Sequence, residues 1–124
     1  LRIVTASSDG TARIWNAITG NPIVTFTGHT GNVYSANFSP DGLYVVTASS
    51  DNTALIWDAI TGRPISILTG HTGLVHAANF SADGLRIVTA SFDKTVRFWT
   101  QVEIENAGQT KSSSLNKDEI GKLR

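Results

Sequence analysis

Residues 28–69 read GHTGNVYSANFSPDGLYVVTASSDNTALIWDAITGRPISILT, and this stretch decides the fold. Short runs rich in Val, Ile, Thr, Tyr, Phe and Trp alternate with turn residues, the pattern of β-strands rather than helices. Four strands are expected: about Val33 to Ser39, Leu43 to Ser49, Thr53 to Asp58 and about Pro64 to Leu68. Pro40-Asp41-Gly42 turns the chain between the first two, because proline presets φ and glycine accepts positive φ. The second strand is almost wholly apolar, as a strand buried on both faces should be. Ser50-Asp51-Asn52 makes the next turn, where asparagine tolerates a left-handed conformation.

The same stretch recurs on both sides of itself. Trp15, Trp57 and Trp99 follow one another at a constant spacing of 42 residues, as do Asp9, Asp51 and Asp93, and His29 and His71. Leu1 to Ser7 returns unchanged as Leu85 to Ser91. A fixed period of this length marks a repeat architecture, in which one unit cannot bury its faces alone and neighbours stack to build the core. Residues 1–27 supply the last three strands of a preceding unit, 28–69 a complete unit, and 70–99 the first three strands of a following one. Ten strands are expected, with residues 100–124 as a non-repeat tail.

Gly28-His29, Ser49, Asp51 and Trp57-Asp58, repeated as Gly70-His71, Ser91, Asp93 and Trp99, resemble the WD-repeat family of β-propellers. The resemblance covers residues 1–99. Two departures stand out: Trp15-Asn16 and Trp99-Thr100 lack the Trp-Asp pair, and Ala82 stands where the middle repeat has Pro40. The resemblance implies an all-β propeller segment of four-stranded antiparallel blades, too few of them to close a ring, since rings hold about 4–8 blades. It also implies a buried tetrad, in which Asp51 accepts from His29, His29 bonds Ser49, and Ser49 meets the indole of Trp57. His71, Ser91, Asp93 and Trp99 would repeat it, and Ser7, Asp9 and Trp15 would remain of a first. A hydrolase triad is the competing reading of Ser, His and Asp together, but it needs one exposed serine beside an oxyanion hole. A set that recurs in every repeat argues for structure, so no catalytic residue is assigned.

Function is expected where the repeats differ. Asn32 becomes Leu74, Tyr34 becomes His76, Ser50 becomes Phe92 and Asn52 becomes Lys94. Asn32, Tyr34, Leu74, His76, Phe92 and Lys94 are therefore the candidates for partner binding, since aromatic anchors usually carry binding energy. For Phe92 two readings stand side by side: packing against the neighbouring blade, or an exposed anchor. The expected function is a non-catalytic scaffold presenting loop surfaces to protein or peptide partners. The alternative is a regulatory or recognition module of a larger multidomain enzyme or signalling protein whose catalytic domain lies outside this segment.

Composition narrows the partners. Ten Lys and Arg balance ten Asp and Glu, so no basic footprint points to nucleic acid. No apolar run approaches the ~18 residues of a membrane span, and no membrane partner is expected. The absence of cysteine excludes disulfides and Cys-ligated metal sites, and a cytoplasmic setting is expected. His71 and His76 lack a third ligand at metal-binding spacing, so neither a metal nor a cofactor is expected. The sequons at Asn37 and Asn79 lie in inner strands, poor places for a glycan. The two open blade faces call for missing blades from a longer chain or for self-association. In the tail, Val102 and Ile104 extend the third strand or form a shifted one, Lys111 to Ser114 read as linker, and Asn116 with Glu119 reads as the capping box of a short helix through Leu123.

Overall fold

The computed structural model describes residues 1–100 and the backbone of residues 113–116. The strands are β1 (Arg2–Ala6), β2 (Thr11–Asn16), β3 (Pro22–Thr27), β4 (Val33–Phe38), β5 (Tyr44–Ser49), β6 (Ala54–Asp58), β7 (Pro64–Leu68), β8 (Val75–Phe80), β9 (Arg86–Ser91), β10 (Thr95–Thr100) and β11 (Ser113–Asn116). They form three antiparallel sheets in the orders β1-β2-β3, β4-β5-β6-β7 and β8-β9-β10-β11. The four strands expected between Val33 and Leu68 are present within a residue at each end. No ring closes among the described residues.

One expectation is corrected. The third sheet does not stop at three strands: β11 pairs with β10, with Thr95 opposite Asn116 and Phe98 opposite Ser113. Ser113 and Ser114 are therefore strand rather than linker, and Asn116 is the last residue of that strand. An outermost strand needs only backbone hydrogen bonds on one side, so it can form without the apolar alternation that reveals inner strands. The helix expected beyond Asn116 and the strand expected around Val102 and Ile104 lie outside the described residues.

The sheets stack in chain order. Ala12, Ile14 and Phe26 of the first meet Val33, Val45, Leu55 and Trp57 of the second. Val46, Ala48, Ile56 and Leu68 of the second meet Val75, Ala78, Ile87 and Trp99 of the third. Because side chains alternate along a strand, Val45 serves one core and Val46 the other. That is why β5 reads as nearly unbroken apolar sequence. Each large side chain so buried contributes roughly 1.5–3 kcal/mol.

The Trp-Asp pair has a local purpose that Asn16 also serves. The Asp58 carboxylate accepts the backbone N–H groups of Ile60 (2.8 Å) and Thr61 (2.9 Å). The Asn16 side-chain oxygen accepts those of Ile18 (2.8 Å) and Thr19 (3.0 Å). Either side chain caps the turn that returns the chain to the outer strand, so the departure at Asn16 leaves the fold intact.

Candidate functional site

Two groups of residues stand apart from the general packing: a buried chain of polar side chains inside each complete repeat, and an exposed cluster at one end of the sheets.

In the second sheet the buried chain begins at Asp51, held in the β5–β6 turn. One carboxylate oxygen accepts from His29 Nδ1 (2.8 Å) and from the backbone N–H of Thr30 (3.1 Å). The other accepts from the hydroxyl (2.6 Å) and backbone N–H (3.0 Å) of Thr53. A carboxylate facing Nδ1 places the ring proton there, leaving Nε2 to accept from the hydroxyl of Thr47 at 2.7 Å. The indole N–H of Trp57 donates to the same hydroxyl oxygen at 2.8 Å. The third sheet repeats the chain through Asp93, His71, Thr89 and Trp99, with links of 2.8, 2.7 and 3.0 Å.

The hydroxyl at the centre is thus a threonine, and the expectation for Ser49 and Ser91 is corrected. Ser49 Oγ accepts the backbone N–H of Asp51 at 3.2 Å. Ser91 Oγ accepts that of Asp93 at 3.0 Å and donates to the Gly73 carbonyl at 3.0 Å. These serines shape the turn that carries the aspartate. Ser7 does the same for Asp9 at 3.1 Å. The signal for threonine was present in the sequence, since Thr5, Thr47 and Thr89 recur at the same spacing of 42.

Electrostatics follow from these bonds. Burial pushes the Asp51 carboxyl up, but the hydrogen bonds from Thr53, His29 and Thr30 outweigh it and hold the group below the ordinary carboxylate range. The same balance, with Thr95, His71 and Thr72 as donors, holds Asp93 lower still. Both ring nitrogens of each histidine are engaged. The hydroxyl that each histidine faces is buried and already accepts an indole N–H. Such a chain clamps the Gly-His loop to the two middle strands of its sheet, and offers no exposed nucleophile. The clamp is close-fitting: a Cβ on Gly73 would lie 2.9 Å from the Asp93 backbone nitrogen, and one on Gly31 would strike the Ser50 side chain.

The first sheet keeps the partial set. Trp15 Nε1 donates to Thr5 at 2.8 Å, and Asp9 accepts from the hydroxyl (2.7 Å) and N–H (2.9 Å) of Thr11. No histidine joins them, and an open cavity of about 220 Å³ lined by Thr5, Asp9, Arg13 and Trp15 lies at that position. Trp15 is half-buried, whereas Trp57 and Trp99 are covered by the preceding sheet.

The exposed cluster lies at the end of the sheets where β4 and β8 begin and the β9–β10 turn sits. In β4, Val33 pairs with Ser49 but Ser35 with Ala48, so Tyr34 is an extra residue in a β-bulge. In β8, Val75 pairs with Ser91 but Ala77 with Ala90, so His76 is the corresponding bulge residue. Bulges re-aim side chains beside functional sites, and here Tyr34 and His76 are both exposed. Phe92 is not packed between the described sheets: it is 68% exposed, with its ring tilted against His76 at 5.4 Å. Lys94 and Asn32 are exposed, and Leu74 is half-buried with its carbonyl accepting from the Phe92 N–H at 3.0 Å. Lys94 holds φ at 71°, as Asn52 does at 73°, a left-handed conformation costly for a lysine.

Of the remaining candidates, His71, His76 and Asn37 are occupied otherwise. His71 spends both nitrogens on Asp93 and Thr89, and the His76 ring faces Phe92. Asn37 donates its side-chain N–H to the Ala78 carbonyl at 2.8 Å, bridging the second and third sheets. Asn79 is exposed.

Comparison with known proteins agrees with this geometry. The model of the WD domain, G-beta repeat, matches residues 1–16, 20–58 and 62–100. Each later match begins at the outermost strand of one sheet and runs through the first three strands of the next. One relative, ribosome assembly protein 4 of Chaetomium thermophilum, is 50% identical over 44 residues, which are 36% of this chain and 8% of that protein. Guanine nucleotide-binding protein subunit beta-1 of Caenorhabditis briggsae is 50% identical over 40 residues, 32% of this chain and 12% of that protein. The aligned stretches are about a tenth of either relative's length. Family match, strand order and the repeated polar chains agree: the chain belongs to the WD-repeat family and forms part of a β-propeller.

Proposed function

We propose that the chain is a non-catalytic interaction scaffold, and that it engages a protein or peptide partner through the end bearing Asn32, Tyr34, Leu74, His76, Phe92 and Lys94. WD repeats typically mediate protein–protein contacts. The observation that carries the specific reading is the pairing of two exposed rings, Phe92 tilted against the bulge residue His76 at 5.4 Å. Single exposed apolar side chains are ordinary on a protein surface, but aromatic residues gathered at one place are the usual anchors of a partner contact. The repeat comparison adds support, because the framework is held constant while these positions change. The buried Asp-His-Thr-Trp chains support a structural role for the only His and Asp pairs found in hydrogen-bond contact among the described residues.

The test is a photo-crosslinking residue placed at position 92, compared with one at the equally exposed Ile60 on a different loop. The proposal expects a discrete adduct in extract from the source cells at position 92 and none at position 60. Equal labelling from both positions, or none from either, would contradict it.

A further inference from the structure

We infer that the cleft between the second and third sheets, at the end opposite Phe92, binds an arginine side chain presented by a protein partner. The cleft is about 450 Å³ and its lining includes Tyr44, Ile65, Phe80 and Leu85 together with Asp41 and Asp83. It lies beside the β4–β5 and β8–β9 turns, whereas Phe92 sits at the opposite ends of these strands.

The internal repeat identifies the occupant. At the equivalent junction between the first and second sheets, the Arg2 guanidinium carbon lies 5.0 Å from the centre of the Phe38 ring. Arg2 Nη2 also donates to the Gly42 carbonyl at 3.0 Å. Advancing by one repeat turns Phe38 into Phe80 and Gly42 into Gly84, and both line the cleft. The same step turns Arg2 into Tyr44, so the second junction keeps the ring and the glycine turn but supplies no arginine. At the first junction the guanidinium is one wall of a cavity of about 310 Å³, whereas the second junction has a larger cleft with Tyr44 in its place.

Charge selects the same ligand. Among the described residues no Lys or Arg lines the cleft, and its two charged lining residues, Asp41 and Asp83, are carboxylates. Hydrogen bonds from Ser39 and Leu43 hold Asp41 ionised, and those from Ser81 and Leu85, with the charge of Arg86 nearby, do so for Asp83. A cleft lined by apolar and aromatic side chains and two carboxylates suits a side chain with an aliphatic stem and a delocalised cationic end. Guanidinium is favoured over ammonium because it can lie flat on the ring while its edge donates to oxygen.

The probe is a blocked Gly-Gly-Arg-Gly-Gly peptide, titrated into the protein and followed by the NMR signals of the Phe80 and Tyr44 rings. The expected result is saturable movement of both rings, weakened roughly tenfold when citrulline replaces arginine, from loss of the cation–π attraction and charge. Tyr44→Arg should place a guanidinium over Phe80 within the chain and abolish peptide binding, with an unchanged urea midpoint as the folding control. Asp83→Asn keeps the turn acceptor and should weaken binding by several-fold. The inference is overturned if the rings do not move, if the citrulline or lysine peptide binds as well, or if Tyr44→Arg binds like wild type. None of these outcomes bears on the Phe92 end, so the two proposals stand or fall separately.

Discussion

Thr47→Val is the substitution that tests the buried chain most sharply. Valine matches threonine in shape, so packing in β5 is preserved and only the hydroxyl is lost. Thr47 is fully buried, and its oxygen serves two partners, His29 Nε2 at 2.7 Å and Trp57 Nε1 at 2.8 Å. Both would be left without a partner where water does not reach. An unsatisfied buried polar group costs about 1–3 kcal/mol, so two cost about 2–6 kcal/mol. For a domain near this size that lowers Tm by about 10–20 °C. Ser49→Ala removes only one acceptor of a turn N–H at 3.2 Å, and should cost about 1 kcal/mol. Thr5→Val provides an internal control, because Thr5 is exposed and has only Trp15 to lose; its effect should stay within about 0.5 kcal/mol. Urea denaturation followed by circular dichroism ranks the three. If Ser49→Ala proved more damaging than Thr47→Val, the assignment of threonine to the centre of the chain would be refuted.

Acid should destabilise the protein through Asp51 and Asp93. Each has a folded pKa below its unfolded value, so its contribution is complete above the unfolded value of about 3.9 and is lost as pH falls through that value towards the folded one. The urea midpoint should therefore hold steady at neutral pH and drop below about pH 4, with a shallower drop in Asp93→Asn. Lys94→Gly should raise stability by about 0.5–1 kcal/mol, because glycine relieves the left-handed backbone at φ 71°; an unchanged or lowered melting temperature would contradict this. Gly73→Ala should destabilise by about 1–3 kcal/mol, since its Cβ would press on the Asp93 backbone nitrogen at 2.9 Å. Thermal melts would read this directly.

The sequence made the repeat, the strands and most of the polar chain legible, because a constant spacing brings Asp51, His29 and Trp57 into correspondence with Asp93, His71 and Trp99. It did not separate Thr47 from Ser49. Both recur with the same period, and two residues apart in a strand they face the same side. Only the register decides: Val45 lies opposite Trp57, which leaves the indole nitrogen reaching Thr47 and places Ser49 beyond it at the turn. The bulges at Tyr34 and His76 were equally hidden, since an extra residue in one strand of a pair leaves no mark on composition. β11 was missed because an edge strand is held by backbone groups that every residue carries. The exposure of Phe92 was undecidable from sequence, where an aromatic residue in a turn reads equally well as packing or as anchor.

Phe92 is the residue on which the proposed binding surface can be tested. The direct measurement is the dissociation constant of the partner crosslinked at position 92, for wild type and for Phe92→Ala, with urea midpoints as folding controls. A ring this exposed contributes little to folding, so the midpoints should agree within about 0.5 kcal/mol. Removal of an aromatic anchor should weaken binding by roughly tenfold or more. Equal affinities at equal stability would contradict the proposed role of Phe92.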